Sequence, residues 1–210
     1  MNKWMLVTGM LLLSDGLQDA AEPAPTWTAY TPGPVPSAAV AEGRLSFDGR
    51  ATVGDFTGTT TTVRGEMTGG NDLSVVHGWV EAPVITLVTG NERRDKDLKK
   101  SMQSDRYPTI RFELAGVNPT AEQGDTVRVD LQGKFQIHGV EREVAIPATV
   151  VLEAGAIRVR GTTPMNLKDY KIGGLTKAWG MLRMYEGIVA HFDVTFRPVR
   201  AALPASAEGR

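Results

Sequence analysis

Apolar and polar side chains alternate with a period of two through most of the stretch from Gly43 to Pro198. Between residues 127 and 137, for example, the apolar side chains fall on one side, while the charged and amide side chains fall on the other. Successive side chains of a β-strand point to opposite faces, so this pattern predicts strands with one buried face. The same alternation recurs along residues 44–48, 144–152, 157–160 and 188–197.

Turn residues separate these segments at short intervals, which favours hairpins between consecutive strands. The β-branched run Thr59–Val63 predicts a further strand, and residues 73–88 form a longer strand-like run. About eight strands with almost no helix to cover their apolar faces must pack against a second sheet or close into a barrel. The sequence therefore predicts an all-β fold, and an antiparallel up-and-down barrel is preferred to a sandwich.

One segment, Glu92–Gln103, has a helical pattern instead. Leu98 and Met102 lie four residues apart and form a narrow apolar stripe, while most of the other side chains are charged. Asn91 is suited to cap the first turn, and Pro108 prevents the segment from continuing as a helix. We expect one short surface helix that packs lightly on the barrel.

The two ends of the chain differ in composition from the alternating region. Residues 1–21 carry Lys3 and an apolar run shorter than the roughly 20 residues that span a bilayer, which is typical of a signal peptide. Its cleavage position stays open. Residues 22–42 are rich in proline and predict a linker, and the alanine-rich residues 199–210 predict a flexible tail. A leader implies a periplasmic or secreted protein, and a buried amino-terminal helix of a cytoplasmic protein is the alternative.

Charge balance and the absence of cysteine exclude several classes of function. The chain has 23 basic and 24 acidic side chains, so its net charge of −1 does not attract nucleic acid. Without cysteine there is no disulfide, thiolate metal site or thiol nucleophile. The 3 histidines lie in separate predicted strands without metal-ligand spacing, and no phosphate-binding loop or nucleophile elbow is present. We therefore predict no metal site, no cofactor and no catalytic residue.

Several motifs spread over residues 43–198 point to one family. The most specific joins the helix to a strand and runs from Asn91-Glu92-Arg93-Arg94-Asp95 to Tyr107-Pro108-Thr109-Ile110-Arg111-Phe112. Further pieces are residues 54–58 with 63–65, residues 131–140, and Asp169-Tyr170. Together they resemble the YceI-like family of lipid- and polyisoprenoid-binding proteins. The resemblance implies an eight-stranded, lipocalin-like barrel at residues 43–198, and it decides for a barrel over a sandwich.

The resemblance also implies a long apolar cavity that holds an isoprenoid or another amphiphilic chain. The inward-facing residues predicted to form its wall are Phe47, Ile110, Phe112, Leu114, Val127, Val129, Leu131, Phe135, Ile146, Ile188, Phe192 and Val194. The residues predicted at its rim are Arg94, Tyr107, Tyr170 and Trp179. Because each buried methylene contributes about 0.8 kcal/mol, a chain of about ten carbons would bind without polar contacts.

The leading hypothesis is non-catalytic binding or transport of an isoprenoid or fatty-acid-like amphiphile, and alternatives stay open. The inward side chains could fill the core themselves, which would make a structural or stress-related periplasmic barrel without a ligand. A metal-dependent hydrolase would need the scattered histidines to meet in the fold. Stable membrane insertion is disfavoured, because outward positions such as Arg128, Asp130 and Lys134 are too charged to face lipid. Pairing of edge strands into a homodimer is left open.

Overall fold

The alternating segments form the strands of one antiparallel sheet in the computed structural model, which describes residues 26–153, 155–173, 176–177 and 182–199. The strands are β1 (Ala38–Ala51), β2 (Phe56–Thr60), β3 (Arg64–Thr68), β4 (His77–Pro83), β5 (Thr109–Gln123), β6 (Thr126–Ile137), β7 (Val140–Glu153), β8 (Ala156–Asn166), β9 (Thr176–Lys177) and β10 (Leu182–Pro198). The helix α1 spans Glu92–Ser101, and 3-10 helices span Leu73–Val75, Val84–Thr86 and Leu167–Tyr170.

The sheet closes on itself because β1 pairs with β10 over nearly its whole length, from Ala38 opposite Pro198 to Ala51 opposite Met184. The strand order is β2-β1-β3-β4-β5-β6-β7-β8-β10-β9. Strands β2 and β3 both pair with β1, β2 along its second half and β3 at its start, so they are two parts of one barrel strand. The closed barrel therefore has 8 strands, which confirms the predicted fold.

The two ends of the barrel carry different connections. Strands β1, β4 and β6 all finish at one end, which we call the upper end. Residues 52–55, 84–108, 138–139 and 167–173 lie there. The opposite, lower end carries residues 26–37, 69–76 and 124–125. Any opening into the barrel is framed by one of these two sets of connections.

Apolar side chains fill the lower end. Val35, Leu73 and Val76 are almost completely buried in the main core, and Tyr30 packs against them and accepts a hydrogen bond from the Leu73 N–H at 3.3 Å. Thr28 pairs with Glu122, and Val35 pairs with Gly70, through backbone hydrogen bonds. The lower end is thus closed by packed residues.

Two sequence predictions differ from this structure. The predicted linker at residues 22–42 packs against the barrel from Thr28 onward, and its last residues belong to β1, because Tyr30 and Val35 supply apolar contacts that its proline content does not reveal. The predicted strand at residues 73–88 is interrupted by 3-10 turns on both sides of β4. The predicted leader at residues 1–21 and residues 200–210 of the predicted tail lie outside the described residues.

Helix α1 is fixed at the upper end by specific caps. The Asn91 side chain accepts a hydrogen bond from the Arg94 N–H at 3.1 Å, which satisfies one free donor of the first turn. Asp95 accepts hydrogen bonds from the backbone N–H and the hydroxyl of Thr89, at 2.8 and 2.6 Å. Met102 is buried at the far end of the helix. The predicted surface helix is therefore present, and its apolar stripe faces the barrel.

Gly133 of β6 occupies a position where a larger residue does not fit. A Cβ atom there would lie 2.1 Å from the Glu113 carbonyl oxygen and 2.7 Å from the Phe112 ring. The Glu113 backbone is paired with β6, and the Phe112 ring packs 5.1 Å from the Phe135 ring, measured between centroids. Either group would disturb the barrel wall if it moved away.

We expect Gly133→Ala to lower the free energy of unfolding by about 1–3 kcal/mol, because it overpacks the barrel wall. The measurement is urea unfolding followed by circular dichroism. Gly187→Ala in β10 is the control, because a Cβ atom there meets nothing within 4 Å. Equal stability of the two variants would contradict the steric argument.

Candidate ligand-binding cavity

The barrel encloses a cavity of about 720 Å³ along its axis. Its lining extends from Leu73 and Val76 at the closed lower end to Leu98 and Met102 of α1 at the upper end. This volume lies within the range of roughly 300–1,000 Å³ that is usual for small-molecule sites. The cavity is therefore large enough for a ligand and reaches the upper end of the barrel.

Most of the predicted wall residues border this cavity. Those that do are Phe47, Ile110, Phe112, Leu114, Leu131, Phe135, Ile146, Ile188, Phe192 and Val194. Val127 and Val129 do not: each is 2% exposed and packs in the core. Both face inward as predicted, but they lie on the part of β6 near the lower end, where the barrel is filled. Their assignment to the cavity wall is therefore corrected to the core.

Phenylalanine rings lie along this wall beside glycines of neighbouring strands. A Cβ atom on Gly58 would come within 2.3 Å of the Phe47 ring, and one on Gly161 within 2.3 Å of the Phe192 ring. The two residues of each pair lie directly opposite each other on adjacent strands. Because the ring occupies the space of the missing side chain, it covers the sheet and leaves room along the axis.

The predicted rim residues differ in their positions relative to the cavity. Arg94 and Tyr170 border the cavity, whereas Tyr107 does not. The Tyr107 ring packs against His138, with ring centroids 4.7 Å apart, and against Gly139. Trp179 lies outside the described residues.

One side of the upper end is closed by a second apolar cluster. It contains Val84, Met102, Ile137, Tyr170 and Ile172, all buried. The His138 ring lies beside this cluster, with Nδ1 3.0 Å from the Tyr170 carbonyl oxygen. Burial raises the pKa of the Tyr170 hydroxyl, so this group stays neutral. Tyr170 is therefore mainly a packing residue at the upper end.

The remaining side of the upper end is bordered by charged side chains and forms the mouth of the cavity. Arg93, Arg94 and Asp97 approach it from α1, and Arg183 approaches it from β10. The Arg94 guanidinium stacks over the Phe56 ring, with its Cζ atom 4.3 Å from the centroid. Phe56 in turn meets Phe47 edge to face at 6.1 Å, so Arg94 is linked to the apolar wall.

The loop between β1 and β2 completes the mouth. The Thr52 N–H donates to the Arg183 carbonyl at 2.9 Å, and the Arg183 N–H donates to the Thr52 hydroxyl at 3.2 Å. Val53, the next residue, borders the cavity although it is 72% exposed. An apolar side chain is thus exposed to solvent at the entrance.

Sequence reasoning missed Arg183, Phe56 and Val53 at the mouth, whereas Arg93 belongs to the charged helix segment that it predicted. Arg94 lies four residues before Leu98, so the period of the helix places these two residues on one face. Val53 lies in the turn between β1 and β2 and Phe56 directly follows it, so the alternation of strand residues could not predict which way their side chains face. Their position follows from the pairing of β2 with the second half of β1.

The histidines lie apart in the structure. His138 is buried beside Tyr107, and His77 starts β4 near the lower end. His191 lies on the outer face, 2.8 Å from Asp48 and 3.0 Å from the Thr162 hydroxyl. Hydrogen bonds from Thr57 and then His191 lower the pKa of Asp48. Among the described residues, no three histidine or carboxylate side chains group in a way that could hold a metal ion.

Comparisons with known proteins identify the family. The model of the YceI-like domain matches residues 38–197, which is most of the chain. The chain belongs to the YceI-like family. Within the described part of this YceI-like protein, no helix combines the length and apolar character needed to cross a membrane. None of the curated proteins compared with the chain matches it.

Two solved structures share the fold of this YceI-like protein. BcnA of Burkholderia cenocepacia superposes with a TM-score of 0.61 at 15% identity, covering 73% of this chain and 95% of BcnA. A polyisoprenoid-binding domain from Saccharophagus degradans, implicated in plant cell wall breakdown, gives a TM-score of 0.62 at 12% identity, covering 79% of this chain and all of that domain. At such identities the likeness concerns the fold.

Glu186 is expected to titrate far below an ordinary glutamate. Hydrogen bonds from Lys168, its own backbone N–H and Arg183 outweigh desolvation and lower its pKa from 4.5 to about 2. The lowered pKa means that these ion pairs stabilise the fold above pH 4.5, and that the contribution is lost as the pH falls toward 2. Carboxyl NMR should give a midpoint near 2, and Lys168→Met should raise it. Lys134→Met, on a distant strand, is the control. A wild-type midpoint near 4.5 would contradict the geometry.

Proposed function

We propose that this YceI-like protein binds or transports an amphiphile with a long apolar chain, held inside the barrel without chemical conversion. The observation that carries the proposal is the 720 Å³ axial cavity, which is mostly apolar along its strands and packed at the lower end, and whose bordering arginines lie at the upper end. Each methylene that enters contributes about 0.8 kcal/mol, so a chain lying along the axis gains affinity with its length.

The chain of the ligand is proposed to be isoprenoid or fatty-acid-like. The likeness to the Saccharophagus degradans polyisoprenoid-binding domain supports this choice, since the two share a fold. Phe47, Phe112 and Phe192 offer flat, apolar surfaces along the wall. Such surfaces suit flexible chains and impose little selectivity for chain type.

A carrier of this kind fits a protein that works outside the cytoplasm. The apolar run near the amino terminus, with Lys3 before it, is typical of an export signal, and we propose a periplasmic or secreted location. A side-chain-filled barrel is less well supported than a carrier, because the inward residues leave the axis open above the lower core.

Filling the cavity should weaken binding of the apolar chain. We expect Ala190→Trp to lower the affinity for geranylgeraniol, a C20 prenyl alcohol, by about tenfold or more, because Ala190 borders the cavity and an indole would take the space of several methylenes. Affinity is measured by fluorescence competition, and native mass spectrometry checks for a 1:1 adduct.

The matched control is Val189→Trp, one residue earlier on β10. Val189 is 37% exposed and does not border the cavity, so its replacement should leave affinity within about twofold. If wild-type protein takes up neither geranylgeraniol nor hexadecanoic acid, the proposed function is wrong. Equal losses in the two variants would show that the chain does not enter the barrel.

A further inference from the structure

Charge is distributed unevenly along the cavity. Most strand residues that face the interior are apolar, with Thr60 and Thr163 among the exceptions. The guanidinium groups that border the cavity, those of Arg93, Arg94 and Arg183, all lie at the upper end. Glu66 and His191 also border it, but they occupy outward-facing positions on β3 and β10. A ligand that fills the cavity therefore places its tail in an apolar region and its head among arginines.

Arg183 and Asp97 at the mouth are already engaged. The Arg183 guanidinium lies 3.1 Å from Glu186, a carboxylate that Lys168 also approaches at 2.9 Å. Asp97 has an interaction of its own as well. The Arg183 guanidinium therefore already has a carboxylate partner.

Arg93 and Arg94 are the two other charged residues that border the mouth. Among the described residues, neither forms an ion pair with a carboxylate, although Glu92 and Asp95 are their neighbours in the sequence. Asp95 is instead directed to Thr89. Both arginines border the cavity, and Arg94 is half-buried. Two guanidinium groups without a carboxylate partner thus border the entrance of a mostly apolar cavity.

The stacking of Arg94 on Phe56 favours anion binding. A guanidinium that lies over a ring keeps its N–H groups free at the edge of its plane, where they match the oxygens of a carboxylate or phosphate. The ring also restricts the side chain, so less conformational entropy is lost when a ligand binds. Arg93 is exposed on the same turn and can contribute a second cation.

We infer that the ligand is an amphiphile with an anionic head, a carboxylate or phosphate, which Arg93 and Arg94 hold at the mouth while the tail lies in the barrel. This inference rests on the proposed function and specifies the head group that it leaves open. A neutral amphiphile with the same tail would leave both guanidinium groups without a partner. The mouth therefore discriminates by charge, while the wall accepts chains of different kinds.

The test compares ligands that differ only in the head. Affinities of the full chain are measured for geranylgeranyl monophosphate against geranylgeraniol, and for hexadecanoic acid against hexadecanol. We expect the anionic member of each pair to bind about tenfold more tightly, because hydrogen bonds to ionised groups are stronger than those between neutral groups. The two pairs distinguish a prenyl from an acyl tail.

Matched double variants of α1 locate the effect. Arg93→Gln with Arg94→Gln removes two positive charges at the mouth and should reduce the preference for the anion to about twofold or less. Lys96→Gln with Lys100→Gln removes the same charge from exposed positions that do not border the cavity, and should keep the wild-type preference. Arg93→Gln alone guards against loss of the Arg94–Phe56 contact, and should still reduce the preference.

Each result decides a different point. If both members of a pair bind equally to the wild-type protein, the inference is overturned and the proposed function stands. If the lysine and arginine variants lose the preference to the same extent, the net charge of the helix causes it, and the inference is overturned. If no ligand binds, the proposed function and the inference fail together.

Discussion

Closure of the sheet by pairing of β1 with β10 is the constraint on which the rest of the structure depends. Once Ala38–Ala51 is bonded on both sides, every inward side chain faces the same interior, and the diameter of that interior is set by the strand count. Side chains then decide how much of the axis is filled. The lower end is filled because Tyr30 and Val35 enter from outside the barrel strands.

The interior above that core stays open because large rings are accommodated within the wall. Phe47 and Phe192 occupy the space beside Gly58 and Gly161, and Phe112 occupies the space beside Gly133. Rings that projected toward the axis would meet one another there and close it. Pairing a ring with a glycine on the next strand therefore gives an apolar surface without filling the cavity, at the cost of strict size limits at those glycines.

The strands and their inward faces could be predicted from the sequence more completely than the residues that border the cavity. Alternation depends on the strand alone, so residues such as Ile110 and Phe192 could be assigned to the interior. Whether an inward residue borders a cavity depends on distant segments: Val127 and Val129 are packed because the amino-terminal segment and residues 69–76 cover that end. Tyr107 was misplaced for a similar reason, because its neighbours His138 and Gly139 lie in another hairpin.

Helix α1 makes the upper end of the barrel different from the lower end. One end of the helix is tied to Thr89 through Asp95, and the other is buried through Met102, so the side chains between them are held at the upper end. The apolar stripe of the helix covers part of that end, and its first turn brings Arg93 and Arg94 to the part that stays accessible. Since the lower end is packed, a chain that enters between these arginines has its tail inward and its head at the mouth. A short charged helix that sequence reasoning placed on the surface therefore sets both the entrance and the orientation of what can enter.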